Sequence, residues 1–450
     1  MREGADRRPA RRVGLIAALL SALYALPAHA DTLAEAIATD DLAAARAALE
    51  TGANPNALLT YGESPLAHAV DTQDAALVAL LLAHGAKPDT ADAEGLTPLA
   101  LACELGSPVI VASLLDARAN VRKPAPDGTT PLAVCARFSS AETVTRMLAL
   151  GAKAEALDAR GQTPLMWAAS GGNAGAIPAL LKAGAKVNRV TKEGFTPLFF
   201  AIASGSGEAT RLLLDAGADA AHRGPENASA LQVALYQKNW AAAAMLVERG
   251  GDLAERDRNG QLPLHVAAAG GDGTLIALLL AKGANANGLT GPSRIKWVTE
   301  ANFGVAPAPV PPTPPLLIAA QTGQVAVMRQ LVAGGADAHF IAENGVNVVL
   351  AAASGRSPEA LEAALALAPD ANVADAKGNT ALHLVVGGGM HPDLAPMLRV
   401  LAAHGARPDL ANTRGTTPAQ MAQGGLATVK AVYDQVFGQK GAPVLASARP

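Results

Sequence analysis

The chain has 450 residues, half of them apolar but only 3% aromatic, and much of the apolar share is Ala. Side chains that small suit thin stacked layers of helix better than one thick core. A net charge of −3 offers no broad basic surface to neutralise phosphates, which argues against nucleic acid as a partner.

The first element in chain order is a targeting segment. Arg7, Arg8, Arg11 and Arg12 form a basic start, Val13 to Leu26 is an uncharged apolar stretch of 14 residues, and Ala28-His29-Ala30 fits the small-x-small cleavage rule. The apolar stretch is shorter than the roughly 18–20 residues a bilayer span needs, so no stable membrane insertion is expected after cleavage. No Cys follows the stretch, which excludes a lipoprotein. Arg11-Arg12 hints at twin-arginine export, but no cofactor motif calls for it and ordinary secretion is favoured. Residues 1–30 are thus expected to be a signal peptide, and the rest a periplasmic or secreted bacterial protein. Losing five Arg against one Asp and one Glu takes the charge from −3 to −6.

A 33-residue period then dominates. Thr97-Pro98-Leu99, Thr130-Pro131-Leu132, Thr163-Pro164-Leu165 and Thr196-Pro197-Leu198 keep one register, which extends back to 64 and 31 and forward to 229 and 262. A 19-residue insertion, at about 288–313, delays the next start to 314; further starts fall at 347, 380 and, after four extra residues near Met390, at 417. The reading is twelve units over 31–437 and a disordered tail at 438–450. Thr at a helix N-cap can accept from a free N–H, and Pro at the first helical position has no N–H to waste. In the second segment of the unit starting at 64, Leu77, Val78, Leu81 and Leu82 make one helical stripe. Gly85 then ends the helix in a left-handed turn. Arg118 and Ala368-Pro369 stand where that Gly is expected; a left-handed non-Gly residue costs roughly 1 kcal/mol, so those turns are expected to be rebuilt or weak.

The T-P-L opening, the Ala pair, the apolar second segment, Gly-Ala and a closing D-x-x-G together resemble the ankyrin-repeat family. The unit from Thr163 carries them well, with Ala168-Ala169, Leu180-Leu181 and Gly184-Ala185. The resemblance covers almost the whole chain after residue 30. It implies an all-α solenoid of about twelve helix-turn-helix units with loop or β-turn fingers, and a role in binding protein. It also implies that His265 and His383 brace neighbouring loops, and that partners meet the concave side at finger tips and the exposed edge of the first helices. Those positions hold Tyr61, Phe138, Phe195 and Tyr236, aromatics in a chain that has few. Trp167, Phe199 and Phe200 read as packing residues. The insertion adds Arg294, Trp297 and Phe303 as candidates, followed by a Pro-rich run that favours extended geometry.

Catalytic templates are missing. The sequence has no H-E-x-x-H, no G-x-x-x-x-G-K-[ST], no G-x-S-x-G and no C-x-x-C-H. Neither enzyme activity nor a cofactor nor a metal is expected. Cys103 and Cys135 occupy core Ala positions and read as buried free thiols; a disulfide, open to them in an oxidising compartment, is the alternative. The function expected is binding or protecting an exported protein in the cell envelope. A secreted effector-type binder and a docking subunit of an exported enzyme remain open alternatives.

Overall fold

A computed structural model describes residues 30–438, apart from 61, 93 and 295–310. The expected leader before residue 30, Tyr61, Trp297, Phe303 and the tail after 438 lie outside the described residues. The chain divides into two units, the first ending at Ala119 and the second starting at Asn120.

The first unit holds three helix pairs, α1 (Ala30–Ala38) with α2 (Leu42–Glu50), α3 (Pro65–Asp71) with α4 (Ala75–Ala83), and α5 (Pro98–Glu104) with α6 (Pro108–Asp116). Helix α3 packs on α5, α2 on α4, and α4 on α6. The second unit holds nine pairs. Its first helices are α7 (Pro131–Phe138), α9 (Pro164–Ser170), α11 (Pro197–Ala203), α13 (Ala230–Tyr236), α15 (Pro263–Gly270), α17 (Pro315–Gln321), α19 (Val348–Ser354), α21 (Ala381–Gly387) and α23 (Pro418–Gly424). Its second helices are α8 (Ala141–Ala149), α10 (Ala176–Lys182), α12 (Gly207–Asp215), α14 (Trp240–Glu248), α16 (Gly273–Ala281), α18 (Val325–Ala333), α20 (Pro358–Leu367), α22 (Leu394–Ala403) and α24 (Ala427–Phe437). First helices pack on first helices and second on second throughout this unit, so the fold is an all-α ankyrin-type solenoid. Among the described residues the β pairing is one isolated bridge, Ala374 to Thr380.

Caps explain why the helices begin where they do. Ser64 Oγ accepts the N–H of Ala67 at 3.1 Å and Thr97 Oγ1 that of Ala100 at 3.2 Å, with Pro in the first turn of each helix. Two later helices use histidine: Nδ1 of His265 accepts the N–H of Leu262, and Nδ1 of His383 that of Thr380, both at 3.1 Å. With Nδ1 accepting, the proton sits on Nε2, which donates to the carbonyls of Thr313 (2.9 Å) and Thr416 (3.0 Å) in the following loops. The Ala pairs are fully buried, as at Ala168-Ala169 and Ala267-Ala268, and let neighbouring first helices lie close.

The insertion leaves the stack intact, because α15 packs directly on α17 and α16 on α18. Two bonds of 3.0 Å between Thr290 and Thr313 pin its ends together.

The two unusual turns resolve differently. Gly85 ends α4 at φ +84°, and its N–H and that of Ala86 reach back to Leu82 and Leu81. Arg118 keeps the same turn at φ +60°, bonding Leu115, while Ala119 bonds Leu114. The side chain there bears the cost and the turn is not rebuilt. At Ala368 the turn is rebuilt: the residue is extended at φ −135°, ψ 91°, and α20 runs on to Leu367.

The cysteines require a correction. Cys103 and Cys135 are fully buried, but both are disulfide-bonded, not free thiols. The expectation of free thiols rested on a one-residue offset in helical phase, about 100°. That offset still leaves both sulfurs on the buried side of their helices.

Candidate protein-binding face

Counting the N-cap as the first position, the fifth residue of each first helix should lie at the edge of the buried stripe. In the second unit that row reads Val134, Trp167, Phe200, Val233, Val266, Ile318, Ala351, Leu384 and Met421, all half-buried except Val134 and Ala351, which are buried. Trp167 and Phe200, expected as packing residues, therefore show part of their rings to solvent. Phe199, one step round the helix, is 2% exposed and is core.

Beyond this row lie the more exposed aromatics. Phe138 is 47% and Tyr236 58% exposed, each at the C-terminal end of a first helix. The guanidinium of Arg137 stands 5.0 Å from the Phe138 ring centroid and 5.8 Å from that of Trp167, so one cation serves two rings. Trp167 Nε1 donates to Asp158 at 3.2 Å, and Asp158 also accepts the N–H groups of Arg160 and Gln162, which shapes the finger beside it. Gly171 makes this corner possible, since a Cβ there would stand 2.6 Å from the Arg137 carbonyl oxygen. Arg258 repeats the arrangement over Tyr236, 5.5 Å from its centroid.

Phe195, expected to be exposed, is half-buried. Its ring meets Phe199 at 6.2 Å and Phe200 at 5.9 Å, and Phe199 meets His222 at 6.0 Å edge-on. A finger residue so close to two aromatics on α11 folds inward to remove apolar area from water. Among the described residues no ring pair joins Phe138, Phe195 and Tyr236 to one another; Phe138 and Tyr236 end first helices while Phe195 sits on a finger, so they form no cluster.

Arg294 is exposed, and its polar groups are engaged. Its N–H donates to the carbonyl of Arg258 at 2.8 Å, and its guanidinium to those of Arg256 (3.1 Å) and Asp257 (3.3 Å). The start of the insertion is thereby tied to the residue that covers Tyr236.

Successive fingers are joined at their tips. Ala159 N–H donates to Asp127 at 2.7 Å, Lys192 to Arg160 at 3.3 Å, Ala376 to Asn344 at 2.8 Å and Thr413 to Lys377 at 2.9 Å. A second tie recurs lower down, where Asn188 donates to the Gly217 carbonyl (3.1 Å) and accepts from Asp219 (2.8 Å); Asn287 and Asn372 do the same one pair further on. Where they occur, these bonds tie each finger to the next.

Among the described residues there is no group of side chains able to hold a metal ion, and no helix is long and apolar enough to cross a membrane.

Comparison with known proteins agrees with this architecture. The family model described as ankyrin repeats in three copies matches residues 33–125, 77–158, 132–224 and 316–411, and the single ankyrin-repeat model matches 259–290. No curated protein matches. Among solved structures, the ankyrin repeat domain of Bcl-3, described as a unique member of the IkappaB protein family, is 30% identical, over 45% of this chain and 92% of that one, at a TM-score of 0.39. With family models matching well over half of its length, this chain belongs to the ankyrin-repeat family, whose arrays mediate protein–protein interaction.

Proposed function

We propose that this protein is a non-enzymatic binding module of the bacterial cell envelope, which holds or protects an exported protein on the first-helix face of its second unit. The observation that carries the reading is the half-buried row through Trp167 and Phe200, flanked by the Arg137–Phe138 and Arg258–Tyr236 pairs. Solvent-facing aromatics held rigid by a guanidinium present large apolar area at little cost in side-chain entropy, as contact anchors do. Export rests on the Arg-rich start, the apolar stretch and the Ala28-His29-Ala30 site.

Site-specific photocrosslinking in cells tests the face. A crosslinking side chain at Phe138 or Tyr236 should capture one discrete partner, and the same group at Leu150, exposed at the end of α8, should not. Capture from Leu150 alone would move the interface to the second helices. Intact mass of the exported chain, beginning at Asp31, together with fractionation of periplasm and medium, tests the location.

A further inference from the structure

Charge is unevenly distributed along the second unit. Residues 120–195 carry ten Lys or Arg against five Asp or Glu, a net +5 in a chain of net −3. Three of those five carboxylates are spent on the fold. Asp127 accepts from Thr129 twice, Asp158 from two backbone N–H groups and Trp167, and Glu155 from the Lys186 N–H while lying 3.9 Å from Arg189. Lys153, Arg160 and Lys186 are exposed, and among the described residues no carboxylate lies within ion-pair distance of any of them. The surplus positive charge therefore faces solvent.

Within this surface the fingers after α8 and α10 enclose an open hollow of about 540 Å³. Leu157 and Val190, 33 residues apart and each 44% exposed, form its apolar part; Lys186, Arg189 and Lys192 form its rim. Two aliphatic side chains at equivalent places on neighbouring fingers are thus both open to water. The surface also ends abruptly. In the next two fingers Asp219 and Asp252 stand where Lys153 and Lys186 stood, and Arg223 and Arg256 replace the aliphatic pair.

We propose that this finger surface is a second docking site, separate from the first-helix face, and that it takes an extended acidic protein segment with a branched aliphatic side chain among its carboxylates. The aliphatic side chain covers Leu157 and Val190, and the carboxylates meet the rim cations. Charge complementarity selects an acidic occupant. The aliphatic floor, with no ring for bases to stack on, selects peptide over single-stranded nucleic acid. A hollow recessed between loops suits a side chain better than a lipid surface, which apolar residues must penetrate.

The test uses the full chain and a fluorescent peptide of glutamates flanking two leucines, followed by anisotropy. Binding should weaken at least about tenfold with Lys186→Glu/Lys192→Glu, with Leu157→Ser/Val190→Ser, and on raising salt. Phe138→Ala/Tyr236→Ala should leave it unchanged, which separates this site from the first-helix reading. A Lys186→Gln/Lys192→Gln pair serves if charge reversal reduces the helical spectrum. Equal binding by the reversed or neutralised pair overturns the proposal. So does equal binding of an all-glutamate peptide, or tighter binding of a single-stranded oligonucleotide of equal charge or of anionic vesicles. Loss of peptide binding in the Phe138/Tyr236 variant would place the acidic segment on the first-helix face instead.

Discussion

The backbone N–H of Lys192 donates to the carbonyl of Arg160, and Pro225, at the equivalent place in the next finger, has no N–H with which to continue that line of bonds. The tip that follows turns through two left-handed residues, Glu226 at φ +56° and Asn227 at φ +62°. The lower tie is missing nearby as well, because Ala221 and Ala254 replace the Asn found at 188 and 287. Between the pairs α11–α12 and α13–α14 the ties are the Arg223–Glu255 and Arg249–Asp215 ion pairs and one buried bond from Asn239 to Ile202.

Exchange of backbone amides should accordingly be fastest, within the interior of the second unit, at α11 to α14, and high salt should quicken it there more than elsewhere. The backbone at Ala221 and Ala254 already bonds the preceding Asp side chain as the Asn-bearing turns bond theirs. Ala221→Asn and Ala254→Asn should therefore each restore a tie and add about 1 kcal/mol. Uniform exchange across the unit would show that stacking of the helices alone sets local stability.

His265 makes folding sensitive to acid. Burial pushes its pKa down from 6.5 to about 4, against the opposing bond to the Thr313 carbonyl. The unfolded chain takes up the proton first, so this contribution is complete above about pH 6.5 and is lost as pH falls towards 4. The loss amounts to about 3 kcal/mol. His265→Gln should be less stable at neutral pH, and its denaturation midpoint should fall less between pH 6.5 and 4 than that of the parent chain. Parallel profiles would refute the assignment.

The oxidised cysteines predict that no thiol reacts with a labelling reagent in unreduced protein, even after denaturation. Reduction should lower the thermal midpoint, since losing a native disulfide costs about 2–5 kcal/mol. Recovery of two thiols without reductant would restore the free-thiol reading.

Because two bonds between Thr290 and Thr313 close the base of the insertion, deleting 295–310 should leave the helical spectrum unchanged. Stability should shift by about 1 kcal/mol or less, as loop closure depends only weakly on length. Collapse of the fold on deletion would show that the segment is part of the packing.

The all-helical architecture and the place of each helix start are legible from local chemistry alone. Thr or Ser followed by Pro, an apolar stripe and a terminal Gly each act within a few residues of themselves, so no knowledge of the neighbours is needed to read them. What a side chain does across a joint between helix pairs is a different matter. Trp167 and Phe200 were expected to be core and show part of their rings; Phe195 was expected to be exposed and turns inward onto Phe199. The outcome depends on how far one helix sits from the next, a distance set by Gly171 and the Ala pairs and carried by no single repeat. Arg118 could have rebuilt its turn and instead bears a positive φ, because Leu114 and Leu115 already hold the two bonds that close it. Helical phase, which is legible in the sequence, does not decide the state of the cysteines: each is buried and disulfide-bonded. Pro225 could be read from the sequence, but its consequence required knowing that the residue one repeat earlier donates across the gap. The sequence therefore determined the units and their order through short-range bonds, and tertiary packing alone decided which side chains remain open to water, because exposure in a stack belongs to neighbouring pairs together.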